Sequence, residues 1–244
     1  MEIKSLENNM FTSKKIGIAV GIVIIILVIL WYFQSQGFIK VFPTSEERDV
    51  KKILQIDESK FSPAEGLPEE AYQAKIDSLY AQKDVVIETP EDSSQWMLFG
   101  NIKEFLNDHE GAIRAWEKVL ELQPLNFAAA HNIATNYQYF LKDFLKAENY
   151  YLMALDLRPD YTPAYQGLMD LYLFNLKEKQ DMFEPTMLMA IETDVSNAAS
   201  YYSALTNFFI DQEDFVKAKN YLSRLETLKP DSAEEFRQNY LELR

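Results

Sequence analysis

Two histidines, His109 and His131, are the only imidazoles in this 244-residue chain, and it has no cysteine. General acid–base or nucleophilic chemistry would need such a group beside a carboxylate or a hydroxyl. The histidines fall in different blocks of sequence, and neither sits in a recognisable catalytic motif. A metal centre would need three or four converging ligands, more than two distant histidines and scattered carboxylates supply. Without cysteine there is no disulfide, zinc finger, iron–sulfur ligation or thiol catalysis. The acid pairs Glu69–Glu70 and Glu91–Asp92 stand where helices are expected to start, and the positive end of a helix dipole accounts for them. Phosphate-cradling, dinucleotide-binding, zinc-protease and serine-hydrolase signatures are absent from the sequence. The sequence therefore predicts no catalytic residue, no metal and no cofactor.

The elements that position side chains are helical. Glycine and proline are scarce, at 7 and 9 residues, which suits helices joined by short turns better than strands. Apolar residues make up 48 %, enough for a real core. The formal net charge is −14, and the part beyond residue 33 is more acidic still, because the first 33 residues are net positive. Such an acidic body repels phosphate backbones, so nucleic acid is not an expected partner.

Residues 16–33 are an uncharged run, IGIAVGIVIIILVILWYF. Eighteen residues at ~1.5 Å rise reach ~27 Å, close to a bilayer core. Trp31, Tyr32 and Phe33 gather at one end, where such rings favour the headgroup level. A cleaved signal peptide is the rival reading. The run is long for one and exits through WYFQSQG with no small-residue cleavage site, which favours an uncleaved signal anchor. Lys14 and Lys15 abut its N-terminal side, so the positive-inside rule places residues 1–15 in the cytoplasm and the remainder outside it. Arg48, Lys51 and Lys52 on the far side weigh the other way. Gly17 and Gly21 form a G-x-x-x-G pair that would let two such helices dimerise.

Residues 34–92 read as a connector and preceding helices. Residues 46–58 have helical spacing, 59–68 form a loop, and a helix opened by Pro68, Glu69 and Glu70 runs to about Gln82. From about Ser93 the chain repeats itself. NDHEGAIRAWEKVLELQP ends at Pro124, KDFLKAENYYLMALDLRP at Pro159, and QEDFVKAKNYLSRLETLKP at Pro230. The first two prolines are 35 apart, and Pro159 and Pro230 are 71 apart, or two units. Pro90, 34 before Pro124, hints at a degenerate earlier unit. Units are expected at 93–126, 127–161, 162–198 and 199–232, each two antiparallel helices. In the third, Met169 takes the small-residue place and Pro185 falls where the second helix should run, which predicts a short, shifted or kinked helix. Residues 233–244 read as a capping helix with a Ser232–Glu235 capping box.

These blocks resemble the tetratricopeptide repeat, a pattern of large aromatic, Leu, small residue and Tyr on one helix, Ala, aromatic and Ala on the next, then Pro. Trp96, Phe99, Gly100, Ala112, Trp116 and Pro124 carry it in the first unit, and Ile133, Ala134, Tyr137, Ala147, Tyr151, Ala154 and Pro159 in the second. Leu205, Phe209, Ala218 and Pro230 carry it in the last. The fold expected is all-α: one N-terminal transmembrane helix, then an α-solenoid of stacked antiparallel helix pairs within residues 93–232, closed by a C-terminal capping helix. The resemblance implies a binding scaffold without catalysis, and it makes His109 a core filler in a helix–helix turn. It also implies a groove lined by the first helices. The candidates are Asn101, Glu104, Phe105, His131, Thr135, Gln138, Tyr139, Gln166, Asp170 and Asn207. This face lacks Lys and Arg, so an apolar or basic segment suits it better than a C-terminal carboxylate. The partners implied are proteins or peptide segments, plus the lipid bilayer through residues 16–33. The expected role is an anchored adaptor for envelope or secretory proteins, with a cytoplasm-facing adaptor as the alternative.

Overall fold

The computed structural model describes residues 45–63, 65–240 and 243. The expected membrane anchor at 16–33, its lysine flank and the Gly17/Gly21 pair lie outside them. Among the described residues every regular element is helical, and no helix is long and apolar enough to cross a membrane. Residues 1–56 and 57–244 form separate units. The first contributes α1 (Ser45–Ile53). The second holds α2 (Glu69–Glu88), α3 (Ser93–Phe105), α4 (His109–Leu122), α5 (Phe127–Asn136), α6 (Phe144–Leu157) and α7 (Thr162–Asp170). It continues with α8 (Phe183–Thr193), α9 (Ala198–Asp211), α10 (Phe215–Leu228) and α11 (Pro230–Asn239).

Three turns from first to second helix share one chemistry. Asn107, Lys142 and Glu213 take left-handed φ values of 66°, 56° and 58°. Each is followed by an aspartate, Asp108, Asp143 or Asp214, whose carboxylate accepts a backbone N–H in the first turn of α4, α6 or α10. The left-handed residue ends one helix, and the aspartate satisfies an orphan donor of the next. In the first and last of these turns the aspartate N–H reaches back five residues, to Lys103 O and Phe209 O. In the middle one it reaches six, from Asp143 to Tyr137 O at 3.0 Å. The extra residue is absorbed by a π-helical turn, Tyr137–Leu141, which continues α5.

The returns to the next first helix are marked by proline. α2, α4, α6 and α10 have Thr89, Gln123, Arg158 and Lys229 as C-caps, and Pro90, Pro124, Pro159 and Pro230 follow directly. α2 thus ends as the second helices of later units do. It runs six residues past the expected Gln82 because Gln82 and Val86 are buried, with Gln82 Nε2 donating to Gln95 O at 3.1 Å. α1 stops at Ile53, and Asp57 caps a separate 3₁₀ turn at Glu58–Lys60. The last helix starts at Pro230, earlier than expected. Proline suits that first position, so the N-cap place falls to Lys229 and no Ser232 capping box forms.

In the third unit a second π-helical turn, Leu171–Asn175, and a 3₁₀ segment, Lys177–Met182, precede α8. The helix is both short and shifted. Pro185 becomes its third residue, where a missing N–H costs nothing to the helix ladder. The core runs through the array. Trp96, Trp116, Tyr151, Tyr165, Phe183 and Leu205 are buried between helix pairs, and Ala112, Ala147 and Ala218 are fully buried. Alanine there lets the paired helices approach, and the large rings fill the remaining space.

Candidate protein-binding face

The first helices α3, α5 and α7 are joined side by side by polar contacts. Asn136 Nδ2 on α5 donates to Glu104 Oε1 on α3 at 3.0 Å. The Tyr139 hydroxyl, in the turn continuing α5, donates to Asp170 Oδ2 on α7 at 2.9 Å. These bonds bring residues from three units together although some 70 positions separate Asn101 from Asp170.

On α3, Asn101 is exposed, and its Oδ1 accepts from the Trp116 indole at 3.1 Å. Phe105 is exposed, with the Lys75 ammonium of α2 4.8 Å above its ring. The sequence reading of a face without cations is corrected here, since α2 lends one. On α5, His131 is half-buried. Its ring stands edge-on to Tyr161 at 5.2 Å and tilted to Tyr151 at 5.8 Å. Thr135 donates to His131 O at 3.0 Å, in the ordinary manner of a helical threonine. Gln138, read from sequence as lining the groove, is instead buried. Its Oε1 accepts from the Tyr151 hydroxyl at 2.7 Å, and its Nε2 donates to Asn175 at 3.3 Å. Tyr139 next to it stands 46 % exposed. On α7, Gln166 is exposed and Asp170 half-buried. Asn207 on α9 lies apart from this set. It lines a cavity of about 310 Å³ with Ser232, Glu235 and Phe236 of α11.

The sequence reading missed Asn136 and the groups that support the face from below. Asn136 is fully buried, and its Oδ1 meets His109 Nδ1 at 2.9 Å. The His109 ring stacks on Phe140 at 3.7 Å, so this histidine fills space between units. Its neighbour Asp108 pairs with Lys103 inside the protein. Farther along, the buried Tyr172 hydroxyl donates to Glu148, which also holds Lys179. The i, i+4 repeat Asn132–Asn136 is the one signal of this network in the sequence, since polar residues one helical turn apart share a face. Among the described residues no group of three or more His, Cys, Asp or Glu converges to hold a metal.

Partial burial, then the Asp170 carboxylate, pushes the Tyr139 phenol up to about 12, so it stays a neutral donor. Burial holds the His131 imidazole below its ordinary value, with Asn132 pulling weakly the other way. The unfolded chain therefore takes up a proton before the folded one does as pH falls. Stability that His131 leaves intact above about pH 6.5 is lost as pH drops from there through the folded value. Thermal melts from pH 7.5 to 5 should fall more steeply for the parent than for His131→Gln. Parallel curves would show that His131 is not desolvated.

The family description "Tetratricopeptide repeat" matches residues 96–124. Among proteins with curated descriptions, none has a matching sequence. Solved structures match in fold. A crystal structure of MamA is 16 % identical with a TM-score of 0.53, over 70 % of this chain and 94 % of that one. A second structure of MamA protein is 15 % identical with a TM-score of 0.50, over 79 % and 96 %. YrrB, described as a TPR protein with an unusual peptide-binding site, is 15 % identical with a TM-score of 0.47, over 67 % and 87 %.

Proposed function

We propose, from the premise that the chain is a tetratricopeptide-repeat protein, that it is a membrane-anchored scaffold binding a segment of a partner protein along α3, α5 and α7. Residues 16–33 supply the anchor in this reading. Lys14 and Lys15 favour an extracytoplasmic repeat domain that binds or assembles envelope or secretory proteins. The observation that carries the binding face is Tyr139. Its ring is 46 % exposed on a surface of amides and carboxylates, where packing does not require an aromatic. Such a ring grips side chains at low entropy cost. Glu104 and Asp170 make the face favourable to a basic or apolar segment, with Lys75 at its α2 edge.

Tyr139→Ala should cost the fold no more than ~1.5 kcal/mol, the worth of its hydrogen bond to Asp170. It should weaken partner binding by ~1–2 kcal/mol, roughly 5–30-fold, as loss of an aromatic anchor does. A photo-crosslinker at the exposed Gln166, in native membranes, reads this directly. Equal crosslinked yield from parent and Tyr139→Ala would move the site off this face. The cytoplasm-facing alternative is favoured by the exposed Lys51 and Lys52 of α1, beyond the apolar run. A reporter active only in the cytoplasm, fused after Arg244, separates the two. Its activity would reverse the topology, and its silence beside an active extracytoplasmic reporter would support the leading one.

A further inference from the structure

The irregular third unit meets the fourth differently from the way the first meets the second. Between the first two units, His109 at the start of α4 stacks on Phe140 at the end of the turn continuing α5. The corresponding place between the third and fourth units lies between the start of α8 and the end of α9. There the 3₁₀ segment displaces the helix start, and Phe183 stacks on Phe208 at 4.5 Å. Beside that stack lies a cavity of about 440 Å³, whose lining includes Asp181, Glu184, Phe208, Phe209, Asp214 and Lys217.

Its chemistry is that of a cation receptor. Phe208, half-buried, and Phe209, buried under Lys217, line it with rings, and the Phe209 ring is backed by Tyr221, stacked at 5.7 Å. Asp181, Glu184 and Asp214 supply carboxylates, against a single cation, Lys217. That cation already shows the binding mode. Its ammonium lies 4.5 Å from the Phe209 ring centroid and donates to Glu184 Oε2 at 2.7 Å. A ring face and a carboxylate held in place together attract a cation more than either alone. Glu184 is held from behind by the Tyr221 hydroxyl at 2.5 Å, so its second oxygen is fixed. Lys217 is nearly half-exposed on a flexible stem, so an incoming group can displace it or sit beside it. Asp181 has no ion-pair partner among the described residues, which leaves negative charge at the rim uncompensated.

We infer that this cavity is a second binding site, one that takes a basic side chain, arginine above all, from a protein partner. Phe208 and Phe209 stand edge-to-face at 77°, so a planar guanidinium can lie over one of them, the Phe209 face that Lys217 now covers, while its edge bonds Glu184 and Asp181. Lys217 then acts as a tethered competitor that keeps the site covered until a better cation arrives. The site shares no residue with the face on α3, α5 and α7, and it stands or falls independently of that face.

The test uses the full-length chain in detergent micelles with ¹⁵N-labelled phenylalanine, titrated with N-acetyl-arginine amide and with its uncharged isostere, N-acetyl-citrulline amide. Saturable shifts at Phe208 and Phe209 are expected with the arginine probe, at least 10-fold weaker with citrulline. Lys217→Met removes the competitor and should tighten arginine binding by about 3–10-fold. Glu184→Gln should weaken it at least 5-fold. Asp181→Asn, at an exposed side chain with no hydrogen-bond or ion-pair partner among the described residues, should weaken it by about 3-fold even if the Glu184 variant proves unstable. Tyr139→Ala should leave it unchanged. Equal binding of arginine and citrulline would reduce the cavity to an apolar surface and overturn the inference. So would an unchanged affinity in both Lys217→Met and Asp181→Asn.

Discussion

Replacing Asp108 by alanine should destabilise the repeat array by ~3–5 kcal/mol, the range for breaking a buried ion pair from one side. Lys103 is fully buried and Asp108 nearly so, with Nζ and Oδ2 2.7 Å apart. Burial drags the Lys103 ammonium below its ordinary value, and the Asp108 bond and charge oppose that. The same carboxylate caps α4 by accepting the Gly111 N–H at 3.0 Å, a contact worth ~1 kcal/mol in its own right. Loss of Asp108 therefore removes both the cap and the main counter-charge of a buried cation. Asp108→Asn keeps a capping oxygen and should cost less than alanine. Lys103→Met keeps the Gly111 cap but leaves the buried Asp108 carboxylate without its cation, so it too should be costly, though less than Asp108→Ala. In Lys103→Met, the further change Asp108→Ala should cost at least ~2 kcal/mol less than in the parent. Urea melts of the four proteins measure this. A single-variant cost under ~1 kcal/mol would mean that water reaches the pair.

The reading from sequence was strongest where chemistry repeats at fixed intervals. Asn107–Asp108, Lys142–Asp143 and Glu213–Asp214 stand 35 and 71 positions apart, and each pairs a left-handed residue with a capping aspartate. The four prolines follow helix ends because the residue before proline resists helical geometry. Trp96 and Tyr165, each six positions after a proline, donate back to the carbonyls of Pro90 and Pro159 at 2.8 and 3.0 Å. The candidate face was less legible, because which side of a helix faces out depends on its rotation. Each added residue turns a helix by about 100°. The π-helical turn at Tyr137–Leu141 inserts one, so the periodicity read along α5 does not carry through it. Gln138 is turned inward as a result, while Tyr139 stays out. Lys75 was missed for another reason. It belongs to α2, outside the expected repeats, and only packing brings it over Phe105. Lys103 and Asp108 are five positions apart, outside the three- and four-residue spacings of helix ion pairs, and nothing local announces that both ends are buried.

Gly167 was passed over too, because the small-residue place of the third unit was read at Met169. The close approach occurs two residues earlier. A Cβ built on Gly167 would fall 2.2 Å from Tyr151 Cζ and within 2.6 Å of both flanking ring carbons. Gly100 makes a comparable approach to the Trp116 indole, at 2.5 Å. Glycine inside a helix is otherwise unfavourable by ~1 kcal/mol relative to alanine. Alanine at 167 would gain that amount if there were room for it. There is none, because the Tyr151 ring is buried and its hydroxyl is held by Gln138 at 2.7 Å. The ring cannot slide without breaking that bond, so α7 must move away from α6. Overpacking of this kind costs ~1–3 kcal/mol or more, which outweighs the propensity gain. Gly167→Ala should therefore lower stability by ~1–2 kcal/mol, and Gly167→Val by ~3 kcal/mol or more. A Tyr151→Leu background removes the ring and should change the sign. There, Gly167→Ala should be neutral or stabilising by up to ~1 kcal/mol. Denaturant melts of the parent, the two single variants and the pair give the coupling energy. Should Gly167→Ala stabilise the parent chain as well, α6 and α7 are not in close contact at this point, and the third unit is seated differently on the second.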